Sequence, residues 1–183
     1  MAERAALSAT ARELLSPEAS PISCRVACSA EELALHHRIR HEVFVAEQRI
    51  FATTDLDTHD DETHTIRVIG LAGAMVAGAV RLYPLESSGE LWLGDRLAVL
   101  PDFRIQGLGK PLVRFAVATA ARLGGREMQA HIQPTNVRFF ERLGWECRGP
   151  VEVYVGLPHQ PMAIDLSGLD LTDPDLSGTG LDE

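Results

Sequence analysis

The chain has 183 residues, of which 45% are hydrophobic and 23% charged, enough apolar material for one sizeable core with room only for short tails. Its formal net charge of −9 argues against nucleic acid or an anionic membrane surface as the main partner and suits small cationic molecules better. Cys24, Cys28 and Cys147 are odd in number and form no C-x-x-C pair, so neither a disulfide framework nor a zinc site is expected, and a reducing cytoplasm is the simplest setting.

Residues 1–21 carry a few helical spacings and then a Ser/Pro-rich stretch, and read as a flexible N-terminal arm. Arg4, Arg12 and Glu13 interrupt every apolar run there, so no signal peptide or membrane span is expected. Ile22 to Cys28 reads as an opening strand. Ser29 followed by Glu32 is a capping box, and the helix it opens, through Leu33, His36, His37 and Arg40, is expected to reach about Val43. Glu47 and Gln48 then lead into a loop with Asp55, Asp57, Asp60 and Asp61. That acidic run has the charge to draw a cationic acceptor, but a solvated loop is the simpler reading. His59 and His64 flank it without a helix or hairpin spacing to fix ligands, so no metal is expected.

Two β-rich runs, Thr63 to Leu71 and Met75 to Tyr83, flank Ala72-Gly73-Ala74 and predict an antiparallel hairpin. A fourth strand runs from Leu91 to Val99. Asp95 falls in register with Leu93 and Leu97, which predicts a buried pair with an arginine. After Pro101 comes a short loop with Gly107 and Gly109, then a helix with Leu112, Phe115, Ala116, Thr119 and Leu123 at three- and four-residue spacing, ending at Gly124-Gly125. Met128 to Gln133 is a fifth strand, and Thr135 is expected to cap a short helix ending at Gly144. Glu146 to Val155, a turn at Gly156-Leu157-Pro158, and Met162 to Leu166 predict a last hairpin. Trp92 and Trp145 read as core, His159 as structural or rim. Residues 167–183 hold Asp170, Asp173, Asp175, Asp182 and Glu183 and no basic residue, an acidic C-terminal tail, leaving 22–166 as the domain.

The chemistry centres on Arg104-Ile105-Gln106-Gly107-Leu108-Gly109. The first turn of a helix offers N–H groups without internal partners, and glycines let an anion approach them, so Gln106 to Lys110 form a concave donor set suited to a diphosphate. The stretch is not a Walker loop, lacking Gly-Lys-Ser or Gly-Lys-Thr, nor the dinucleotide G-x-G-x-x-G, whose sixth position is Leu112. Directly after Val99-Leu100-Pro101, this R-x-x-G-x-G resembles the acetyl-coenzyme A (acetyl-CoA) signature of the GCN5-related N-acetyltransferase (GNAT) superfamily. Arg40, Val43, Phe44, Val45, Glu47 and Gln48, followed by the spaced aspartates, resemble its ElaA-like branch. The same neighbourhood, with Arg81-Leu82, is also similar to acyl-homoserine lactone synthases, which lack the glycine loop.

The resemblance covers roughly residues 22 to 166 and implies an α/β (α+β) domain. Its sheet would be mixed and mostly antiparallel, with splayed parallel strands 4 and 5, a bulge in strand 4, and flanking helices. It further implies that the main chain of Leu97, Ala98 and Val99 binds the pantetheine arm of acetyl-CoA. Arg104, Ile105, Gln106, Gly107, Leu108, Gly109 and Lys110 would bind the diphosphate, and Gln133 matches an Ala-x-x-Gln pattern of the ElaA-like branch. Phe140 stands where the family usually has an acidic tyrosine, and Arg96 where it often has a carboxylate. Either the thiolate then leaves unassisted or another group acts as acid, and the base lies elsewhere than the family often keeps it. Strand alternation puts His131 on the face of Gln133, a candidate base whose alternative is a histidine satisfied by its neighbours. Glu47 is the next candidate, its alternative a structural or solvated carboxylate.

The implied activity is acetyl-CoA-dependent N-acetyl transfer to the amine of a small, cationic molecule, with no nucleic acid or membrane partner and with a homodimer admitted by the family's habits. The alternatives are a non-catalytic acyl-CoA-binding regulatory module, motivated by Phe140 and Arg96, and an acyl-homoserine-lactone-synthase-like acyltransferase.

Overall fold

The computed structural model describes residues 21–172, so the expected arm up to residue 20 and the expected tail beyond residue 172 lie outside the described residues. The first strand, β1 (Ile22–Val26), is followed by α1 (Ala30–His41). The Ser29 hydroxyl accepts from the Glu32 N–H while the Glu32 carboxylate accepts from the Ser29 N–H, which is the capping box. The α-helical hydrogen bonding stops at His41 and a wider π-helical stretch, Glu42–Glu47, continues the path, with Gln48 N–H donating to Val43 C=O. Apolar spacing alone does not separate these two helical pitches, which is why the helix end was not legible. Such wider turns often sit at functional sites.

β2 (Ile66–Ala72) and β3 (Met75–Pro84) form the expected hairpin, turning at Gly73 with φ 61°. β4 (Leu91–Val99) leads into a short helix, α2 (Pro101–Arg104), where a plain loop is expected from sequence; Pro101 opens it because the first helical position needs no amide donor. Then come α3 (Gly109–Arg122), β5 (Glu127–Ile132), and α4 (Val137–Glu141) behind a 3-10 turn, Pro134–Asn136. Thr135 lies inside that turn and is not a cap; Asn136, which precedes α4, makes no capping bond either. The last segment breaks into β6 (Glu146–Cys147), β7 (Glu152–Tyr154) and β8 (Leu157–Asp165). The hairpin turns at Val155 and Gly156, both with positive φ (47° and 79°), and not over Gly156-Leu157-Pro158. Positive φ at both central residues is what a two-residue hairpin turn requires.

The eight strands of the described residues form one sheet in the order β1-β2-β3-β4-β5-β8-β6, with β7 pairing on β8. Among the described residues only β4 and β5 are parallel, and their pairing covers Leu91, Trp92 and Leu93 against Glu127, Met128 and Gln129. Beyond Leu93 the two strands diverge. β4 also carries the expected bulge: its register against β3 shifts between Ala79 and Arg81, and Arg96 sits there with φ 52°.

α3 supplies most of the core on one face of the sheet. Leu112, Phe115, Ala116 and Ala120 pack with Val80, Leu82, Trp92, Met128 and Met162, and Trp145 is buried in the same cluster. Gly78 permits this approach, since a Cβ there would lie 2.6 Å from Leu112 Cδ1. On the other face, Ile39, Val43 and Phe44 cover Ala79 and Ala98. No helix among the described residues is long and apolar enough to cross a membrane.

Candidate active site

Three arginines rise from the α1 side of the sheet and fix the loop that follows the π turn. Arg40 Nε donates to Asp55 at 2.7 Å, and its terminal nitrogens reach Asp60 at 2.5 and 3.0 Å. Arg81 grips Asp95 at 2.8 and 2.6 Å and Asp57 at 2.6 and 2.8 Å, and adds a bond to Asp60 at 2.8 Å. Arg96 bonds Asp57 at 2.8 Å and lies over the Phe51 ring, 5.0 Å from its centroid. The bulge makes this possible, because it turns the consecutive residues Asp95 and Arg96 to the same face.

The expected arginine partner of Asp95 is therefore present. The solvated reading of the acidic loop is not, except for the exposed Asp61: Asp55, Asp57 and Asp60 are committed to buried guanidinium groups, so none is left as a lure for a cation. Burial alone would raise the Asp60 carboxyl, but Arg40 and Arg81 overrule it and hold it well below the usual carboxylate range.

Where β4 and β5 part, a cavity of about 110 Å³ opens. On the α1 side its wall includes Phe44, Phe51, Arg96, His131, Tyr154 and His159. A second cavity of about 430 Å³ runs beside it at the mouth of α3, bounded by Leu97, Val99, Arg104, Gly107, Gly109, Lys110 and Gln133. The two share Leu97, Gln133, Asn136 and Phe140, so the groove and the chamber are immediate neighbours.

Most of the sequence-derived cofactor residues meet in that groove. The exceptions place their side chains elsewhere. Leu108 is fully buried in the core, Ala98 packs under α1, and Ile105 is 97% exposed, which leaves these three only their main chain to offer. The Gln106 side-chain amide donates to Asp102 C=O. At the start of α3 no side chain caps the helix. The Gly107 amide donates to Arg104 C=O and that of Lys110 to Gly107 C=O, so the donor set is narrower than the run 106–110 suggests. No main-chain partner is found for the Leu108 and Gly109 amides among the described residues. Gly107 itself has φ 82°, a conformation that strains any residue with a side chain.

Glu47 clasps Arg104, which lines the groove, and does not itself line either cavity. Both terminal nitrogens of Arg104 bond the Glu47 carboxylate, at 2.7 and 2.5 Å, and Arg104 Nε donates to Val99 C=O at 2.9 Å. The hydrogen bond from Arg104 holds the Glu47 carboxyl below its usual range, which makes it a weak proton acceptor. His131 is placed differently. It lines the chamber, stacks on Tyr154 with ring centroids 4.1 Å apart, and has Nε2 2.9 Å from a Glu152 carboxylate oxygen. Gln133 Nε2 donates to Gln48 Oε1 at 3.1 Å, joining β5 to the end of the π turn.

Phe140 is buried edge-on against Trp145 and offers no proton. Tyr154, absent from the sequence-derived candidates, puts a phenol on the chamber wall. Only the pairing of β7 with β8, and of β8 with β5, brings it there, and no local spacing signals that pairing.

Comparison with known proteins agrees with this geometry. Residues 61–166, more than half of the chain, match the acetyltransferase (GNAT) domain family. YjcF of Bacillus subtilis strain 168, itself named an uncharacterized N-acetyltransferase, is 28% identical over 141 residues, covering 76% of this chain and 97% of that protein. The crystal structure of Escherichia coli ElaA superposes with a TM-score of 0.70 at 20% identity, over 79% of this chain and 99% of that one. The CoA-dependent acyl-homoserine lactone synthase BjaI, solved with SAM and isopentyl-CoA, gives 0.67 at 19% identity, over 81% and 85% of the two chains. The mixed sheet with its parallel β4–β5 pair is the acyl-CoA N-acyltransferase fold, and the chain belongs to the GNAT acetyltransferase family of acyltransferase enzymes.

Proposed function

We propose that the protein is an acyl-CoA-dependent N-acyltransferase that passes its acyl group, acetyl in the simplest donor, directly to the amine of a small molecule. One observation carries this reading: the groove at the uncapped start of α3 lies directly beside the chamber between the diverging strands, the two having Leu97, Gln133, Asn136 and Phe140 in their walls. The Leu108 and Gly109 amides and the helix N-terminus hold the diphosphate, and the edge of β4 at Leu97 to Val99, where the Val99 C=O already accepts from Arg104, pairs with the pantetheine amides. The amine enters from the α1 side. His131, oriented by Glu152, accepts the ammonium proton, the C–N bond forms, the C–S bond breaks with its electron pair going to sulfur, and the second proton lost by the attacking nitrogen passes to solvent. The thiolate leaves unassisted, as a thiol pKa of ~8.5 allows, or takes a proton from Tyr154; Tyr154→Phe distinguishes these. A cationic acceptor is supported by the net charge of −9 alone, since the loop aspartates are engaged. A cytoplasmic setting is supported by three free cysteines.

The test is CoA release from acetyl-CoA over a panel of polyamines, amino sugars and amino acids, with S-adenosylmethionine as a further arm. Turnover on an amine supports direct transfer. Tight CoA binding with no turnover on any amine favours the regulatory module, which Phe140 motivates, and consumption of S-adenosylmethionine favours lactone-type chemistry. Gly107→Glu places an acid at the helix mouth and is expected to abolish CoA binding; an unchanged affinity overturns the assignment.

A further inference from the structure

The chamber does not stop at the sheet. Along β5, Met128, Ala130 and Ile132 belong to the core under α3 while His131 and Gln133 face the other way, yet members of both sets line the same cavity. The cavity therefore passes through the gap between β4 and β5 and continues on the α3 side. There its wall is Val113, Ala116, Met128, Phe140 and Trp145, all buried and none charged. The groove lies next to it at Leu97 and Phe140, beside the gap.

An acetyl group carries one methyl beyond its carbonyl and has no use for space beneath the sheet. Interiors are close-packed, so an apolar void there is destabilising, and an occupant that fills it restores the lost contacts. A closed apolar cavity of roughly 150 Å³ takes a benzene ring. At about 110 Å³ the chamber falls somewhat short of that size. We propose that the acyl group of the favoured donor is an unbranched or branched chain of about four to six carbons, threaded through the β4–β5 gap and seated against α3 at Val113 and Ala116. The proposal rests on the acyl-CoA reading above and names the donor for it. Its competitor, an apolar tail on the acceptor amine filling the same space, is an outcome of the test.

The test is a calorimetric series of CoA, acetyl-CoA, butanoyl-CoA, hexanoyl-CoA and decanoyl-CoA on the wild-type protein. Each buried methylene is expected to tighten binding up to about fourfold. Hexanoyl-CoA should therefore bind about 10- to 100-fold tighter than acetyl-CoA, and decanoyl-CoA should lose part of that gain. Ala116→Leu fills the space from α3 and should bring the hexanoyl-to-acetyl ratio toward one, with Ala116→Val in between. Acetyl-CoA and CoA binding tightly with a flat or falling series would overturn the proposal and leave the acyltransferase reading standing. A flat donor series with amine acceptors that improve as their alkyl tails lengthen would overturn it in favour of the acceptor. Failure of every CoA ester, and of CoA itself, to bind would remove the acyltransferase reading and this proposal together.

Discussion

The two sides of the sheet are held in contrasting ways. Under α3 the contacts are apolar and continuous, from Leu112 and Phe115 to Met128 and Trp145. Under α1 the apolar cluster is small, and the loop that roofs the chamber is tied down by Arg40, Arg81 and Arg96 against Asp55, Asp57, Asp60 and Asp95. Close packing tolerates neither voids nor excess volume but is indifferent to pH. A buried ionic lattice is direction-specific and fails when one member is lost, although as a whole it adds little stability over an apolar equivalent. The fold thus rests on the α3 side, while the shape of the acceptor side rests on charge geometry.

The contrast is broken most severely by Arg81→Ala. With its guanidinium fully buried, the change takes from Asp95 its two-bond partner and from Asp57 and Asp60 one of the two arginines that hold each, and a loss of about 3–5 kcal/mol in denaturant unfolding is expected. On the other side, Leu112→Ala should cost about 3 kcal/mol, and because it removes no charge it should shift the stability–pH curve down without changing its slope. Next comes the site. His131→Gln is expected to lower kcat about 100-fold with little change in the KM for acyl-CoA, whereas Glu47→Gln, which weakens the clasp on Arg104, should act mainly on KM. An equal loss of kcat in both would remove the assignment of His131 as base.

The smallest effect is a pH slope. His36 is fully buried with Nε2 3.2 Å from Val80 C=O, and burial, then the nearby Arg40 charge, pushes its pKa down to about 3. The unfolded chain, with a histidine pKa of ~6.5, binds the proton that the folded one refuses. Its contribution is therefore complete above pH ~6.5 and is lost as pH falls, at up to ~1.4 kcal/mol per unit. Asp57 and Asp60 also have depressed folded values, but theirs is stability present above pH ~4 and lost below it. Thermal unfolding between pH 7 and 4.5 should thus show a slope that His36→Gln reduces, the remainder coming from His37, whose pKa burial and then the Arg40 charge also lower, and a slope unchanged in that variant would point away from His36.

What was legible in the sequence was what short-range spacing encodes. Ser29 with Glu32, the glycine loop before α3, the hairpin at Gly73 and the pairing of Asp95 with an arginine each announce themselves within a few residues, and the structure has all of them, although the bulge turns Leu97 to the face opposite Asp95 and so breaks their expected shared register. Arg81, a charge inside the apolar run Ala79-Val80-Arg81-Leu82, was the visible sign of a buried ion pair. Its bonds to Asp57 and Asp60, from 24 and 21 residues away, depend on how the loop folds back, which no periodicity records. The pitch change at Glu42 and the two-residue turn at Val155 were hidden for a related reason: hydrogen-bond register, not composition, decides them.

The bulge in β4 has one more consequence. Trp92 and Gly94 face α3 upstream of it and Leu97 and Val99 face α3 downstream, an even-numbered set followed by an odd-numbered one. Arg96 is therefore a one-residue insertion in an otherwise continuous alternation. Excising it would leave every other side chain of the strand on its present face, so the core imposes no demand for an extra residue at this point. What the extra residue adds is Arg96 itself, set beside Asp95 on the α1 face and bonded to Asp57, a little past the last rung shared with β5.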